Sequence, residues 1–348
     1  MSSLVPPAPR SSPSPAEAIA LERATAEQLL AGRIRIEAEL AKVIVGQKAV
    51  IEQILLALLA GGHCLITGAP GLAKTLLVKS IAEIFDLKFQ RIQFTPDLMP
   101  ADITGTEILQ DTGGQRSLAF VRGPIFANLI LADEINRTPP KTQAALLEAM
   151  QEHQVTAAGV RHALEEPFFV LATQNPIEME GTYPLPEAQL DRFMFNVVMD
   201  YLPEADEVRV VTQTTAGRPP AIAPLFSGDD VLRFHRLVRS VPVAEEIVRY
   251  AVRLAAASRP QQAGSAPYIN EWVNWGAGTR AGQFLVLGGK ARALLQGRAH
   301  VAAEDIQALA YPALRHRILL NYRAEAEGIT VSEIIRRLLE GEKPPVTS

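Results

Sequence analysis

Two hydrophobic patterns alternate along the first two hundred residues of the chain, one with the spacing of helices and one with the length of buried strands. Apolar residues at helical spacing recur in five segments, at 16–30, 34–43, 50–59, 74–84 and 139–151. Shorter apolar runs with the length of buried strands lie between them, at 64–66, 89–94, 126–132 and 168–173. Strands that alternate with helices are typical of a parallel sheet, so an α/β domain is predicted here.

Two hairpins are predicted within this domain. The segments 107–109 and 117–120 flank Asp111-Thr112-Gly113-Gly114, which has the turn residues of a tight hairpin. A second hairpin is predicted at 155–160, where Gly159 supplies the turn residue.

The pattern becomes helical throughout after about residue 202. Six helical segments follow, at 204–214, 229–238, 243–258, 280–296, 303–315 and 332–339. Linkers rich in Gly and Pro are predicted at 217–220 and 259–267. We therefore predict three parts: a disordered tail rich in Pro and Ser at 1–15, an α/β domain with N-terminal helices at 16–202, and an all-α lid domain at 203–348.

The chemistry is predicted at the loop that follows the strand 64–66. Its sequence, Gly68-Ala69-Pro70-Gly71-Leu72-Ala73-Lys74-Thr75, lies between a buried strand and a helix, which is the context of a phosphate-binding loop. Lys74 would reach the β- and γ-phosphates, and the Thr75 hydroxyl would ligate Mg²⁺. Ala73 replaces the usual glycine, and we expect it to be tolerated if its φ is helical rather than positive. The alternative is a plain strand–turn–helix corner with an exposed lysine.

Composition narrows the choice of function. The net charge is −4 and the pI about 5.9, which disfavours a general binder of polyanions. The single cysteine, Cys64, adjoins an apolar strand and is expected in the core, so a reducing compartment fits. The longest apolar run is too short to span a bilayer, and no secretory segment is found at the N-terminus. A cytoplasmic protein is expected.

Two carboxylates end the predicted strand at 126–132. Residues at the carboxyl ends of parallel strands face the ligand crevice. Asp133 is therefore placed to hold the Mg²⁺ shell, and Glu134 to polarise a water for attack on the γ-phosphate. The alternative is two solvated acids that cap the next helix.

Three further side chains are candidates for the same site. Asn175 follows the next apolar strand and could hydrogen-bond a water or a phosphate oxygen, or simply form an Asn-Pro turn. Arg192 could reach the γ-phosphate of a neighbouring subunit, or pair with Asp191. Arg280 opens a lid helix and could fold over the nucleotide. The charged segment 315–317 is interpreted as a helix end that suits the helix dipole.

These motifs together resemble the MoxR family of AAA+ ATPases. The matching stretches are 43–47, 68–75, 94–98 with 102–105, 131–137, 172–176, 180–193 and 314–318. The long match at 180–193, Glu-Gly-Thr-Tyr-Pro-Leu-Pro-Glu-Ala-Gln-Leu-Asp-Arg-Phe, is the most specific of them. The loop of this family also has Ala before the lysine.

The resemblance implies a role for each matching residue. Lys74 and Thr75 correspond to Walker A, Asp133 and Glu134 to Walker B, Asn175 to sensor 1, Arg192 to the arginine finger and Arg280 to sensor 2. Thr279 departs from the Pro that more often precedes the sensor 2 arginine. Val45, Gly46 and Gln47 would cradle the adenine, and the loop residues from Gly68 to Leu76 would bind the phosphates. The segments 103–125 and 155–161 correspond to a helix-2 insert and a pre-sensor hairpin on the pore side.

The implied function is hydrolysis of ATP with Mg²⁺ by a homo-oligomeric ring, expected to be hexameric. Members of the MoxR family look like chaperones that mature client proteins or insert metal cofactors into them, often together with von Willebrand A-domain proteins. A nucleic-acid motor or transcriptional activator of the same clade is the main alternative, although nucleic acid and membrane are not expected as partners. A non-hydrolysing nucleotide-sensing scaffold is the third interpretation, and the presence of Glu134 speaks against it.

Overall fold

Five parallel strands form the central sheet of the structure, a computed structural model that describes residues 15–112, 115–175, 181–217 and 220–345. The strands in chain order are β1 (Cys64–Gly68), β2 (Phe89–Gln93), β3 (Gly105–Thr112), β4 (Gln115–Arg122), β5 (Leu129–Asp133), β6 (Gln154–Ala157), β7 (Val160–Ala163), β8 (Phe169–Gln174), β9 (Phe195–Met199), β10 (Val273–Trp275) and β11 (Leu319–Leu320).

Fourteen helices lie within the described ranges. They are α1 (Pro15–Leu40), α2 (Lys48–Ala60), α3 (Lys74–Ile84), α4 (Pro100–Thr104), α5 (Pro140–Glu152), α6 (Glu187–Leu190), α7 (Glu204–Thr215), α8 (Gly228–Ser240), α9 (Glu245–Ala256), α10 (Pro267–Trp272), α11 (Thr279–Leu295), α12 (Ala303–Leu314), α13 (Tyr322–Ala326) and α14 (Val331–Gly341).

Several residues used in the sequence predictions fall outside the described ranges. They are residues 1–14 of the predicted tail, Gly113 and Gly114 of the first hairpin turn, Pro176 and Glu180 of the family stretches, and Arg218 and Pro219 of a linker.

The sheet has the strand order β2-β5-β8-β1-β9, and every neighbouring pair is parallel. Successive residues of each strand point to opposite faces. Cys64 and Ile66 belong to the core shared with α2, α3 and the lid helices, as predicted for the cysteine. Leu65 belongs to a second core that contains Leu146 of α5. Both faces of the sheet are therefore buried, which explains the continuous apolar runs in the sequence.

Strand β9 was not predicted from the sequence. Asn196 interrupts its apolar run, but the structure gives this amide a partner, because Thr67 Oγ1 donates to Asn196 Oδ1 at 3.3 Å. The predicted strand at 126–132 begins three residues late, at Leu129. The side chain of Asn128 instead accepts from the Lys88 N–H at 3.2 Å and donates to the Pro167 carbonyl at 3.1 Å.

Helix α1 is continuous where two helices were predicted. Gly32 lies inside it, and a Cβ at that position would be 2.2 Å from the ring of Phe226. The glycine therefore allows close packing of α1 on the segment before α8. Tertiary packing outweighs the weak helix propensity of glycine here.

The helical lid is confirmed, with the addition of one short antiparallel pair, β10 and β11. Helices α8 and α11 pack on α2, so the lid shares one hydrophobic core with the first face of the sheet. The boundary predicted at residue 202 lies before α7, and the division at that position stays a prediction.

Both predicted hairpins are present. Strands β3 and β4 pair in register from Gly105 opposite Arg122 to Thr112 opposite Gln115, and β6 pairs with β7. The two hairpins touch through Phe120 and His162, whose rings stack at 4.2 Å between centroids. No helix in the described ranges is both long and apolar enough to cross a bilayer.

His63, just before β1, is a buried histidine that ties the sheet to α5. Its Nδ1 accepts from the N–H of Val170 at 3.1 Å, so its Nε2 carries the proton and donates to the carbonyl of Met150 at 3.1 Å. Burial lowers the pKa of His63 to about 4. A neutral imidazole therefore satisfies both contacts, whereas protonation would break the bond from Val170.

We expect the free energy of unfolding to fall as the pH drops from about 6.5 to about 4. Over this interval the unfolded chain protonates His63 and the folded chain does not, which amounts to roughly 3 kcal/mol for this residue. Denaturant unfolding at several pH values measures the slope. In His63→Gln the slope should be shallower. Parallel curves for the two proteins would contradict the assignment.

Candidate active site

The loop between β1 and α3 forms one wall of a cavity of about 470 Å³ at the carboxyl end of the sheet. The cavity is lined by residues of three strand ends and the loop: Pro70, Gly71, Leu72, Ala73, Lys74, Thr75, Leu76, Arg91, Asp133, Glu134, Thr173 and Asn175. The sheet order places β8 between β1 and β5, so residues distant in sequence meet here. The structure thus places Lys74, Thr75, Asp133, Glu134 and Asn175 around one cavity, and the roles given to them stay predictions.

The loop conformation depends on residues without large side chains. A Cβ on Gly68 would lie 2.4 Å from the carbonyl oxygen of Met199, so β9 approaches too closely for any other residue. Gly71 has a φ of +83°. Ala73 has a φ of +57° and ψ of +27°, which is left-handed, so the condition given for its tolerance, a helical φ, is not met. This conformation costs an alanine roughly 1–2 kcal/mol, and the loop carries that strain.

Helix α3 begins at Lys74 with no side-chain cap, because Ala73 has no polar atom to offer. Its first N–H groups and its positive end therefore remain available to an anion in the cavity. The ammonium of Lys74 donates to the carbonyl of Gly68 at 2.5 Å. Burial lowers the pKa of Lys74, while the negative charges of Asp133 and Glu134 act in the opposite direction.

A hydroxyl that the sequence did not single out joins the carboxylate of Asp133 to the backbone of Glu134. Thr173 Oγ1 donates to Asp133 Oδ1 at 2.6 Å and accepts from the N–H of Glu134 at 2.8 Å. Glu134 has a φ of +56° and precedes the 3₁₀ turn Ile135–Arg137, but its side chain forms no cap to that turn. The alternative of two solvated, helix-capping acids was therefore wrong. Strain of this kind is often found at functional positions.

Strand β2 adds two more polar side chains beside these carboxylates. Arg91 donates to Asp133 Oδ2 from Nε at 3.0 Å and from Nη2 at 2.6 Å. Gln93 Nε2 donates to Glu134 Oε2 at 3.0 Å, and Arg137 Nη1 donates to the same oxygen at 3.0 Å. The alternation of polar Arg91 and Gln93 around buried Ile92 was a signal for them, but only the pairing of β2 with β5 shows what they face.

The remaining candidates lie apart from this cavity. Arg192 Nη1 donates to the carbonyl of Leu147 at 3.1 Å rather than to Asp191. Arg280 is not among the residues that line the cavity, and its Nη1 instead lies 3.3 Å from Asp191 Oδ2. The Val45–Gly46–Gln47 turn lies beside the start of α7, where Gln47 donates to the carbonyl of Asp200 at 3.1 Å.

The interpretation of residues 315–317 as a charged helix end fits Arg317, whose Nη1 donates to the carbonyl of Ala313 in the last turn of α12, but the sequence did not predict that this side chain is buried. Its side chain is 2% exposed and donates from Nε to Asp191 Oδ1 at 2.6 Å. Its Nη2 also donates to the carbonyls of Asp191 and Phe193, each at 2.8 Å. Burial lowers the pKa of Arg317 to about 10, and the charge of Asp191 opposes that shift. Arg317 is therefore a buried tie between the lid and the turn that carries Arg192.

The cavity residues fit a nucleotide with Mg²⁺. The uncapped start of α3 and the ammonium of Lys74 suit phosphate oxygens. Thr75 and Asp133 offer hard oxygen ligands, and no group of three or more His, Cys, Asp or Glu within the described ranges could hold a metal by itself. Mg²⁺ commonly takes its other ligands from phosphates and water.

A parallel sheet with this loop, these paired carboxylates and a helical lid defines the AAA+ class of nucleotide-binding proteins. Residues 63–195 match the family model described as ATPase family associated with various cellular activities, and residues 266–338 match the model of the AAA lid domain.

Relatives narrow the class to one family. The chain is 41% identical to chaperone MoxR1 of Mycobacterium tuberculosis, over 96% of this chain and 86% of the relative. It is 30% identical to protein MoxR of Methylorubrum extorquens, over 89% and 94%. A solved structure from Cytophaga hutchinsonii, assigned as an ATPase, superimposes with a TM-score of 0.85 at 42% identity and covers 95% of this chain and 98% of its own. The chain belongs to the MoxR family of AAA+ ATPases.

Asp191→Asn should lower the free energy of unfolding by about 3 kcal/mol, because it leaves the guanidinium of Arg317 buried without its counter-charge. Asp206→Asn is the matched control, since Asp206 pairs at 3.1 Å with Arg209, whose side chain is 61% exposed. This control should lose less than about 1 kcal/mol. Guanidinium denaturation of both variants measures the difference, and equal losses would refute the role given to Arg317.

Proposed function

We propose that this protein hydrolyses ATP with Mg²⁺ in the cavity described above. The observation that carries the proposal is the convergence of Lys74 and Thr75 on one cavity with Asp133 and Glu134, from two separate segments of the chain. Membership of the AAA+ class supports nucleotide binding, and the chaperone name of a relative supports a role in remodelling other proteins.

Each residue has a distinct task in the proposed reaction. Lys74 and the N–H groups of α3 bind and orient the β- and γ-phosphates. Thr75 and Asp133 would hold Mg²⁺, which when bound supplies positive charge to the phosphate oxygens. Glu134 accepts the proton of the water that attacks the γ-phosphate, and Asn175 orients that water or a phosphate oxygen. Thr173 keeps Asp133 and the backbone of Glu134 in position.

The wider role proposed is that of a cytoplasmic ring that remodels client proteins. Such clients include proteins that receive a metal cofactor or act with von Willebrand A-domain partners. A nucleic-acid motor is less well supported, because the chain carries a net charge of −4. A non-hydrolysing scaffold is disfavoured by the placement of Glu134 in the cavity beside Asp133.

Glu134→Gln should bind ATP with near-normal affinity but turn it over on the order of 10² times more slowly or worse, because only the base is removed. Lys74→Ala is the matched comparison, since it should lose binding itself along with the charge-assisted contacts to the phosphates. Calorimetry with ATP and a phosphate-release assay separate the two effects. Normal turnover in Glu134→Gln would place the base elsewhere, and unchanged ATP affinity in Lys74→Ala would refute the assignment of the loop. A pull-down with Glu134→Gln should also retain clients.

Arg192 is proposed to act on the nucleotide of a neighbouring subunit. It sits outside the cavity of its own chain and is held by a backbone carbonyl rather than by a carboxylate. A charge supplied across a subunit boundary stabilises the transition state more than the ground state. Arg280, which shares Asp191 with Arg317, is proposed to accompany it from the lid.

If Arg192 acts between subunits, Arg192→Ala should lower kcat on the order of 10³-fold with little change in ATP affinity. Specific activity of the native chain should rise with protein concentration as rings form. Addition of Lys74→Ala subunits, which retain Arg192, should partly restore the activity of Arg192→Ala subunits. Flat specific activity, together with mixtures that follow simple dilution, would rule out an action between subunits. Light scattering with ATP then tests the hexamer independently.

A further inference from the structure

The nucleotide cavity contains a second strong cation, Arg91, that the reaction proposed above does not use. Its side chain is 47% exposed, whereas that of its partner Asp133 is only 15% exposed. Two of its nitrogens donate to one carboxylate oxygen, Asp133 Oδ2, at 3.0 and 2.6 Å. The other oxygen, Oδ1, is already bonded to the hydroxyl of Thr173. Thr173 does not contact Oδ2 of Asp133, so this oxygen is the one on which a cation could bind. Arg91 occupies it.

The position of Arg91 is fixed by a neighbour on the same strand. Arg91 and Gln93 are two residues apart on β2, so their side chains lie on the same face. Arg91 Nη2 donates to Gln93 Oε1 at 2.6 Å in addition to its bond to Asp133. Gln93 in turn donates to Glu134 Oε2. A single guanidinium thus contacts the proposed metal ligand and, through one amide, the proposed base.

A magnesium ion and Arg91 would compete for the negative charge of the Asp133 carboxylate. Two cations a few ångströms apart repel strongly at a site with restricted solvent. A half-exposed arginine can swing into water at little cost, because its head group is then hydrated. Lys74 does not compete for Oδ2 of Asp133, since its ammonium donates to the carbonyl of Gly68. Arg137 also contacts Glu134 Oε2 and would stay there after Arg91 leaves.

We propose that Arg91 is a positioning residue that occupies the cation place on Asp133 until Mg²⁺ displaces it, and that Gln93 holds it there. This proposal rests on the nucleotide site proposed above. The displacement of Arg91 also affects the base, Glu134. When Arg91 leaves, the side-chain oxygen of Gln93 loses its partner, and the Gln93 amide is then held less firmly against Glu134. Loading of the metal is thereby linked to weakening of the Gln93 contact to the base, while the contact from Arg137 remains.

The test measures binding rather than turnover. ADP is titrated into the full chain by calorimetry at graded Mg²⁺ concentrations, and the Mg²⁺ concentration at half-maximal enhancement of ADP affinity is recorded. Arg91→Met removes the charge and keeps the length of the side chain. Its Mg²⁺ midpoint should fall roughly five- to tenfold, because one charge-assisted contact no longer has to be broken. Arg91→Lys, which keeps a cation on Asp133, should stay nearer the native value.

A matched control is Arg249→Met. Arg249 is a surface arginine on α9 that pairs with Glu245, and both side chains are 72% exposed. Its replacement should leave the Mg²⁺ midpoint unchanged. A midpoint in Arg91→Met that is unchanged or raised would overturn the proposal, and so would an equal shift in the control. Melting curves for each variant confirm that it is folded.

The part given to Gln93 is tested by a double-mutant cycle. Gln93→Leu removes the amide that orients Arg91 and should lower the Mg²⁺ midpoint by less than Arg91→Met does. The double variant should show less than the product of the two fold-changes, because both act through one contact to Asp133. Effects that multiply fully would show that Gln93 does not hold Arg91.

The outcomes separate this proposal from the function on which it rests. If ADP binds but ATP is not hydrolysed, the proposed hydrolysis is refuted, while the Mg²⁺ midpoints still decide the role of Arg91. If ATP is hydrolysed and the midpoint does not move in Arg91→Met, only the role of Arg91 fails. If the native chain binds no ADP with or without Mg²⁺, both fail.

Discussion

One hydroxyl, that of Thr173, joins the ends of strands β5 and β8 at the centre of the cavity. It donates to Asp133 and accepts from the N–H of Glu134, so it fixes one side chain and one backbone group at the same time. Glu134 needs such a contact, because its left-handed backbone would otherwise be unfavourable. Thr173 reaches both groups because β5 and β8 are direct neighbours in the parallel sheet.

The sequence was informative wherever the chemistry was local. Lys74 and Thr75 could be assigned because the strand, the loop and the helix are contiguous in the chain. Thr173, Arg91 and Gln93 could not, because their roles depend on the order β2-β5-β8. Nothing in a single sequence states that order.

The errors of the sequence predictions have a common physical cause. Arg317 follows Arg315 and His316 and was interpreted as part of a charged helix end, yet a carboxylate on a distant turn, that of Asp191, allows it to be buried. Gly32 resembled a helix break, yet the ring of Phe226 requires its missing side chain. Asn196 resembled the end of an apolar run, yet Thr67 satisfies it within the sheet. In each case a partner far away in the chain outweighed the local preference.

The lid itself is organised by the same kind of buried pair. Asp305 is fully buried and binds both Arg292 and Arg298, as well as the N–H of Ala302 at the start of α12. Its pKa is lowered by these contacts against the opposing effect of burial. Pairs of this type add little net stability compared with apolar residues, but they tolerate few alternative arrangements. They therefore favour one packing of α11 against α12.

The contact of Arg317 with the turn at 191–193 also limits how the lid can move. A continuous sway would draw the guanidinium away from Asp191 by degrees, and each step would leave a buried charge less well compensated. The penalty of several kcal/mol for complete separation makes intermediate positions sparsely populated. The lid should then change orientation in discrete jumps between arrangements that each satisfy Arg317. Motion at this edge of the molecule is then a switch between defined positions and not a gradual elastic bending.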